Sequence, residues 1–344
     1  MAPAELMSAE IAEQPEALQR LLDAHAAIAE IGAQVAQRRP RFVLLAARGT
    51  SDHAALYAKY LIEVRLGLPA GLASPSTLTA YGARPDLSDV LMVGVSQSGG
   101  SPDLLEAVSV ARECGALTLS VTNNADSAMA QAAEWHVDVL AGPEKAVAAT
   151  KTYSSELLAL WLLVNAVQGR PLGAAEQLPE VARGLVERDA EVAELATRYR
   201  FTDRLVTTGR GYSYPTAREA ALKLMETSYV AAHAFSGADL LHGPLAMIDS
   251  DHPVVAVVPA GVGGDAMVPV LERLRERNAD VAVFGSTAAR EFATVGFALP
   301  DDQPEELAPI VDIIPLQQLA QHMAVNRGFD PDQPRGLAKV TQTW

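Results

Sequence analysis

Cysteine is almost absent from this 344-residue sequence. Cys114 is the only one, so no intramolecular disulfide can form. It stands at a predicted helix end, where a buried or merely tolerated thiol is the expected reading. Aromatic residues make up only 5%. With alanine abundant, that scarcity suits a helix-rich α/β protein. No apolar run reaches the roughly 18 residues that mark a membrane-spanning helix. The first residues, Met1-Ala2-Pro3-Ala4-Glu5, lack the basic start and apolar stretch of a signal peptide. Basic residues are also short in supply. Lys and Arg number 27 against 42 Asp and Glu, a net charge of −15, and no run of Lys or Arg offsets this locally. General binding to nucleic acid or to an anionic membrane is therefore not expected, because phosphate neutralisation needs clustered basic residues. His53, His136, His233, His252 and His322 show no metal-ligand spacing with acidic or Cys partners, so no metal and no cofactor is expected. The simplest reading is a cytoplasmic protein.

The hydrophobic fraction, 49%, is ample for a buried core, and the length suits about two domains. Apolar strand-like runs alternate with longer helical patterns, which argues for parallel α/β sheets. In the first half the strands are predicted at 42–46, 90–95 and 116–121, with helices at 52–63 and 102–113. A long apolar helix is predicted at 150–166, and a Gly/Pro-containing linker at 168–174. A polar helix at 178–199 opens the second half, followed by a strand at 204–208 and the turn Gly209-Arg210-Gly211. A helix at 214–229 and strands at 253–258 and 281–284 complete it. The recurring order of strand, turn and helix predicts two related doubly wound domains in tandem. The expected division is 1–172, 173–327 and a polar, Pro-rich extended tail at 328–344.

The loop Ser96-Gln97-Ser98-Gly99-Gly100-Ser101 follows the strand that ends at Val95, and Pro102 stands where a helix should begin. Exposed N–H groups at that helix start form an anion site, the serine hydroxyls add donors, and two glycines let the backbone approach closely. No Lys is present, so the loop is not a P-loop. The alternative is an ordinary turn capped by Ser101. After the first strand, Thr50 and Ser51 offer similar hydroxyls, again with a helix cap as the alternative. The corresponding turn of the second half, Pro259 to Asp265, has glycines but no Ser or Thr. If the halves are duplicates, only the first kept phosphate chemistry.

Lys223 and Glu226 lie three apart, on one face of a predicted helix. One reading is a surface ion pair. The other is a carboxylate base that removes a proton beside a carbonyl, held ionised by Lys223. His242, fixed before Gly243-Pro244, is either structural or a proton carrier in the ring opening of a sugar.

Together these residues resemble a known family. The opening from Met7 to Pro15 is similar to that of the isomerase domain of glucosamine-6-phosphate synthase. So, in order, are the Gly49 to Ser51 turn, the Ser96 to Ser101 loop, Gly142-Pro143-Glu144, Val147 to Lys151 and Gly209 to Gly211. The helix from Ala221 to Glu226, His242 to Leu245, and Pro334 to Lys339 continue the series. The resemblance covers nearly the whole chain and implies two tandem flavodoxin-like SIS (sugar isomerase) domains. It implies that Thr50, Ser51, Ser96, Gln97, Ser98 and Ser101 hold a sugar's phosphate and nearby hydroxyls, with Val147 and Ala149 lining the sugar. It implies Glu226 as the proton-transfer base with Lys223 beside it. It also implies that His242 opens the ring, reaching the neighbouring subunit of a homodimer, and that Lys339 on the tail sits by the carbonyl.

The departures narrow the expectation. Arg48 replaces a cysteine usual in the family, Ala149 a serine, and Asp239 a glutamate. The synthases carry a glutaminase domain with an N-terminal cysteine nucleophile. This sequence opens on the SIS region, so use of glutamine ammonia by that route is not expected. Ser101-Pro102-Asp103 and the ending from Leu337 to Thr343 look closer to stand-alone glucosamine-6-phosphate deaminases. The expected activity is deamination and isomerisation of glucosamine 6-phosphate to fructose 6-phosphate. The alternatives are elimination of water from an N-acetylated amino-sugar phosphate such as N-acetylglucosamine 6-phosphate, and a non-catalytic sugar-phosphate sensor.

Overall fold

The computed structural model describes residues 4–339; the end of the predicted tail, residues 340–344, lies outside them. It contains two parallel five-stranded sheets flanked by helices, the α/β architecture expected. The first sheet comprises β1 (Phe42–Ala46), β2 (Ala70–Leu72), β3 (Val90–Ser96), β4 (Leu117–Thr122) and β5 (Trp135–Asp138), in the order β2-β1-β3-β4-β5. The second comprises β6 (Arg204–Gly209), β7 (Ala231–Ser236), β8 (Val254–Val258), β9 (Val281–Gly285) and β10 (Val295–Ala298). Its order, β10-β9-β8-β6-β7, is the same winding read from the other edge. Both are the doubly wound 2-1-3-4-5 pattern, in which ligands bind beyond the strand ends where the order reverses. In the first sheet that point lies between β1 and β3, which pair from Phe42–Val90 to Ala46–Gly94. The turns carrying Thr50, Ser51 and the Ser96 to Ser101 loop leave those two strands.

The interior strands read as continuous apolar runs because both of their faces are covered. All six residues of β4 and all five of β8 and β9 are buried. The chain forms two compact units around these sheets. The first contains residues Gln14–Glu144 and Lys151–Pro179, together with Ala338 and Lys339. The second contains Glu180–Leu337, the residues up to Glu13, and the segment Lys145–Thr150.

In the first unit the helix Lys151–Val167 is buried from Lys151 to Asn165, and it is apolar around most of its circumference as a core helix must be. The predicted helix after β1 begins at Thr50, runs to Leu61, and continues as a π-helical turn, Ile62–Leu66. Cys114 closes the helix Pro102–Glu113, half-buried against the apolar core, in keeping with a tolerated thiol.

In the second unit the single predicted polar helix is two, Leu178–Val186 and Asp189–Tyr199. The N-terminal helix Glu5–Ala12 has no cap of its own. Asp332 supplies one from far along the chain, accepting from the N–H groups of Leu6 and Met7 at 2.8 Å each. No helix among the described residues is long and apolar enough to cross a membrane.

Asp312 lies inside the buried helix Ala308–Asn326, and its Oδ2 has no hydrogen-bond partner. Burial pushes its carboxyl well above the ordinary carboxylate range. The sign follows from proton binding. The unfolded chain loses this proton near pH 4, the folded chain only at higher pH, so stability falls as pH rises from about 4. Asp312→Asn should therefore raise the melting temperature at pH 7 to 8 and change it much less at pH 4.5. A difference independent of pH, measured by calorimetry, would contradict this.

Candidate active site

The loop after β3 is held by backbone bonds on both sides. Asn123 donates its N–H to the Gln97 carbonyl at 3.0 Å, and Met129 to that of Gly99 at 3.2 Å. Gly99 has φ +61, and a Cβ there would collide with the Ser127 side chain, so glycine is required twice over. The Ser96 hydroxyl accepts from the Gly99 N–H, and the Ser98 hydroxyl from that of Gly100, at 3.2 Å each. Both hydroxyl protons remain to point at an anion.

Ser101 stands at the N-cap of the helix Pro102–Glu113, but its side chain makes no capping hydrogen bond. The capped-turn alternative is therefore not realised. The positive end of this 12-residue helix meets the loop, and the Ser101 side chain does not occupy it.

The flanking turn contributes differently. Thr50 opens the helix Thr50–Leu61 behind Gly49. Ser51 is buried and donates its hydroxyl to the Glu156 carboxylate at 2.8 Å. Its proton is thereby committed to the interior. Arg48 reaches from the end of β1 to Asp103 in the first turn of the loop's helix, with Nε and Nη2 both 2.9 Å from Oδ2. Arg48 thus ties the turn after β1 to the helix that follows the loop after β3.

Glu144 joins the loop to the tail. Its side chain is fully buried. One oxygen accepts from the N–H of Thr152, in the first turn of the long core helix, at 3.1 Å. The other accepts from Gln97 Nε2 at 3.0 Å and from Lys339 Nζ at 3.2 Å. The sequence reading quoted Glu144 within a motif and gave it no role. The signal available was an acidic residue a few positions ahead of a long, mainly apolar helix.

The second unit carries the remaining predicted residues. Lys223 is entirely buried in the helix Ser213–Ser228. Its Nζ lies 2.6 Å from Glu226 Oε2 and 3.3 Å from Glu219 Oε1. The surface ion-pair reading is corrected: this is a buried triad, and Glu219 was missed. Burial alone would pull the Lys223 ammonium below its ordinary value, but the two carboxylates more than reverse this and hold it protonated. Glu219 is fully buried, whereas Glu226 keeps 22% of its side chain exposed. Glu226 is thus the one carboxylate of the triad that faces outward. His242 caps the helix Gly237–Leu241, and the residue is exposed. Val147 and Ala149 are half-buried in the irregular segment Lys145–Thr150. Glu10 anchors one end by accepting from the N–H groups of Lys145 and Ala146. Gln317 anchors the other by donating to the Thr150 carbonyl at 3.1 Å.

The turn after β8 is the counterpart of the phosphate loop, and its donors are already used. Glu305 accepts from the Val262 N–H at 2.8 Å and the Gly263 N–H at 2.7 Å. The carboxylate lies where a Cβ on Gly261 or Gly263 would stand, so these glycines make room for it. The second sheet meets its own backbone donors from within.

An SIS domain model matches residues 38–166 and again 200–327, more than half of the chain. The chain is 37% identical over 339 residues to a glutamine–fructose-6-phosphate aminotransferase (isomerizing) of Methanothermobacter thermautotrophicus, covering 97% of this chain and 56% of that protein. It therefore spans about half the length of that relative. The structure of the C-terminal domain of glucosamine-fructose-6-phosphate aminotransferase from Francisella tularensis superposes with a TM-score of 0.87 at 28% identity, covering 97% of this chain and 99% of that one. The crystal structure of a glucosamine-6-phosphate deaminase from Thermotoga maritima shares the fold, with a TM-score of 0.79 at 22% identity over 98% of this chain and 100% of that one. Two matched domains, two sheets of one winding and relatives aligned over nearly the whole chain place this protein in the SIS domain family.

Proposed function

We propose that the protein is an amino-sugar-phosphate deaminase and aldose–ketose isomerase that converts glucosamine 6-phosphate and water to fructose 6-phosphate and ammonia. The observation that carries the reading is the buried triad, in which Lys223 pairs with both Glu219 and Glu226 while Glu226 alone faces outward. The Ser96 to Ser101 loop and Thr50 hold the phosphate, Ser51 accepting from nearby hydroxyls. His242, contributed across a homodimer, opens the ring. Glu226 takes the C2 proton of the open-chain aldehyde, leaving an enolamine, and a proton returns at C1. The resulting C2 imine adds water and releases ammonia, so the carbonyl ends at C2. The protein works in the cytoplasm on a small anionic sugar, which suits its lack of basic patches.

The bond from Lys339 to the buried Glu144 favours a second reading. An ammonium has no free lone pair to attack a carbonyl, but it carries a proton that it can pass on. On an N-acetylated sugar phosphate, where the amide nitrogen blocks imine formation, it would protonate the C3 hydroxyl. Loss of the C2 proton would then expel water.

Purified protein supplied separately with glucosamine 6-phosphate and N-acetylglucosamine 6-phosphate separates the two. Ammonia and fructose 6-phosphate from the first substrate support deamination. No ammonia, with a new ultraviolet-absorbing enal from the second, overturns it in favour of elimination. Glu226→Gln should abolish turnover of either substrate while the substrate still raises the melting temperature; unchanged turnover means that the base is another residue. Glu144→Gln weakens the hold on Lys339 and Gln97, so kcat should fall about tenfold, roughly 1.4 kcal/mol of transition-state stabilisation, with KM changing less. A rise in KM with kcat unchanged would limit Glu144 to a binding role.

A further inference from the structure

The first unit holds a cavity of about 310 Å³, and no residue of the Ser96 to Ser101 loop lines it. Its walls come from β1 and β3, through Val43 and Leu91, and from the helices around them, through Ala36, Ala58 and Leu163. Every lining residue is aliphatic or proline except one, Arg39, and none is aromatic. The pocket is partly open to solvent, so its aliphatic lining can be reached from outside. It falls at the lower end of the range, about 300–1,000 Å³, in which small molecules bind.

Two features of the chain mark the mouth of this cavity. The helix Thr50–Leu61 gives way there to the π-helical turn Ile62–Leu66, and both Ile62 and Leu66 line the space. Such turns are uncommon and often accompany functional sites. Arg39 ends the helix His25–Arg38 with φ +51, a left-handed conformation that glycine or asparagine usually takes. Its guanidinium is exposed and has no carboxylate partner among the described residues. A long cationic side chain therefore stands at the rim of an aliphatic cavity, at a backbone position that favours a residue with no side chain.

We propose that this cavity binds a linear aliphatic carboxylate of medium length, with its chain among the aliphatic walls and its carboxylate on Arg39. The aliphatic lining offers contact to a flexible chain and no ring for an aromatic ligand to stack on. At about 30 Å³ per water-sized group, the space holds on the order of ten methylenes. The fully charged guanidinium selects an acid over an alcohol or an amine of the same length.

The test uses the full-length protein, with calorimetric melting and titration against butyrate, octanoate, decanoate and tetradecanoate, and against decanol and decylamine. Octanoate and decanoate should raise the melting temperature by several degrees at saturation, and butyrate should not. Tetradecanoate should bind no better than decanoate, because the cavity is full. Decanol should bind about tenfold more weakly than decanoate, and Arg39→Ala should close that gap. Ala36→Trp at the half-buried mouth, or Ala58→Leu as the milder change, should abolish the shift while both proteins melt cooperatively. Affinity that climbs steadily with chain length through tetradecanoate is surfactant behaviour and overturns the proposal. So does decanoate binding that survives both space-filling variants, or a change of oligomeric state in those variants with no ligand effect in the parent protein.

Discussion

A carboxylate taken out of water must find hydrogen-bond donors, and in this chain several find them in backbone N–H groups. Glu144 takes the N–H of Thr152 before it reaches Gln97 and Lys339. Glu10 takes those of Lys145 and Ala146, Asp332 those of Leu6 and Met7, and Glu305 those of Val262 and Gly263. Each bond satisfies an otherwise orphaned donor at a helix start or in an irregular segment, and each fixes a piece of chain that the sheets alone would not hold. An acidic composition is thus put to structural use at the turns.

The same rule explains why two units of one topology differ at equivalent places. In both, the third strand of the half delivers a glycine-rich turn beyond its carboxyl end. In the second unit Glu305 fills the turn from within. In the first, Ser96 and Ser98 take up two loop N–H groups through hydroxyls, and Ser101 leaves the helix start uncapped. A neutral hydroxyl satisfies the backbone without contributing a negative charge, so the first turn stays attractive to an outside anion and the second does not.

The interior of each sheet was legible in the sequence and its edges were not. The strands predicted from apolar runs, β1, β3, β4, β6, β8 and β9, are the interior ones, where burial on both faces demands such runs. The strands that escaped prediction, β2, β5, β7 and β10, are the four edges, each only partly buried. The loop serines, Lys223 and Glu226 were found because motifs and helical spacing are local. Glu219 lies one turn from Lys223 on the same helix, so the triad was within reach of the spacing argument that found Glu226. The roles of Glu144, Glu305 and Asp332 were out of reach, since each carboxylate meets a segment that only folding brings near. Arg48 was noticed as a departure, but its pairing with Asp103 across 55 positions was not foreseeable.

The account rests on one chemical event, removal of the C2 proton by Glu226 from an open-chain sugar phosphate, shared by deamination and elimination alike. Turnover of substrate deuterated at C2, followed by proton and deuterium NMR, tests it directly. The account predicts slower turnover than with the unlabelled sugar, and deuterium that leaves C2, passing to C1 or to water. Product formed from the deuterated sugar at the unlabelled rate would contradict it.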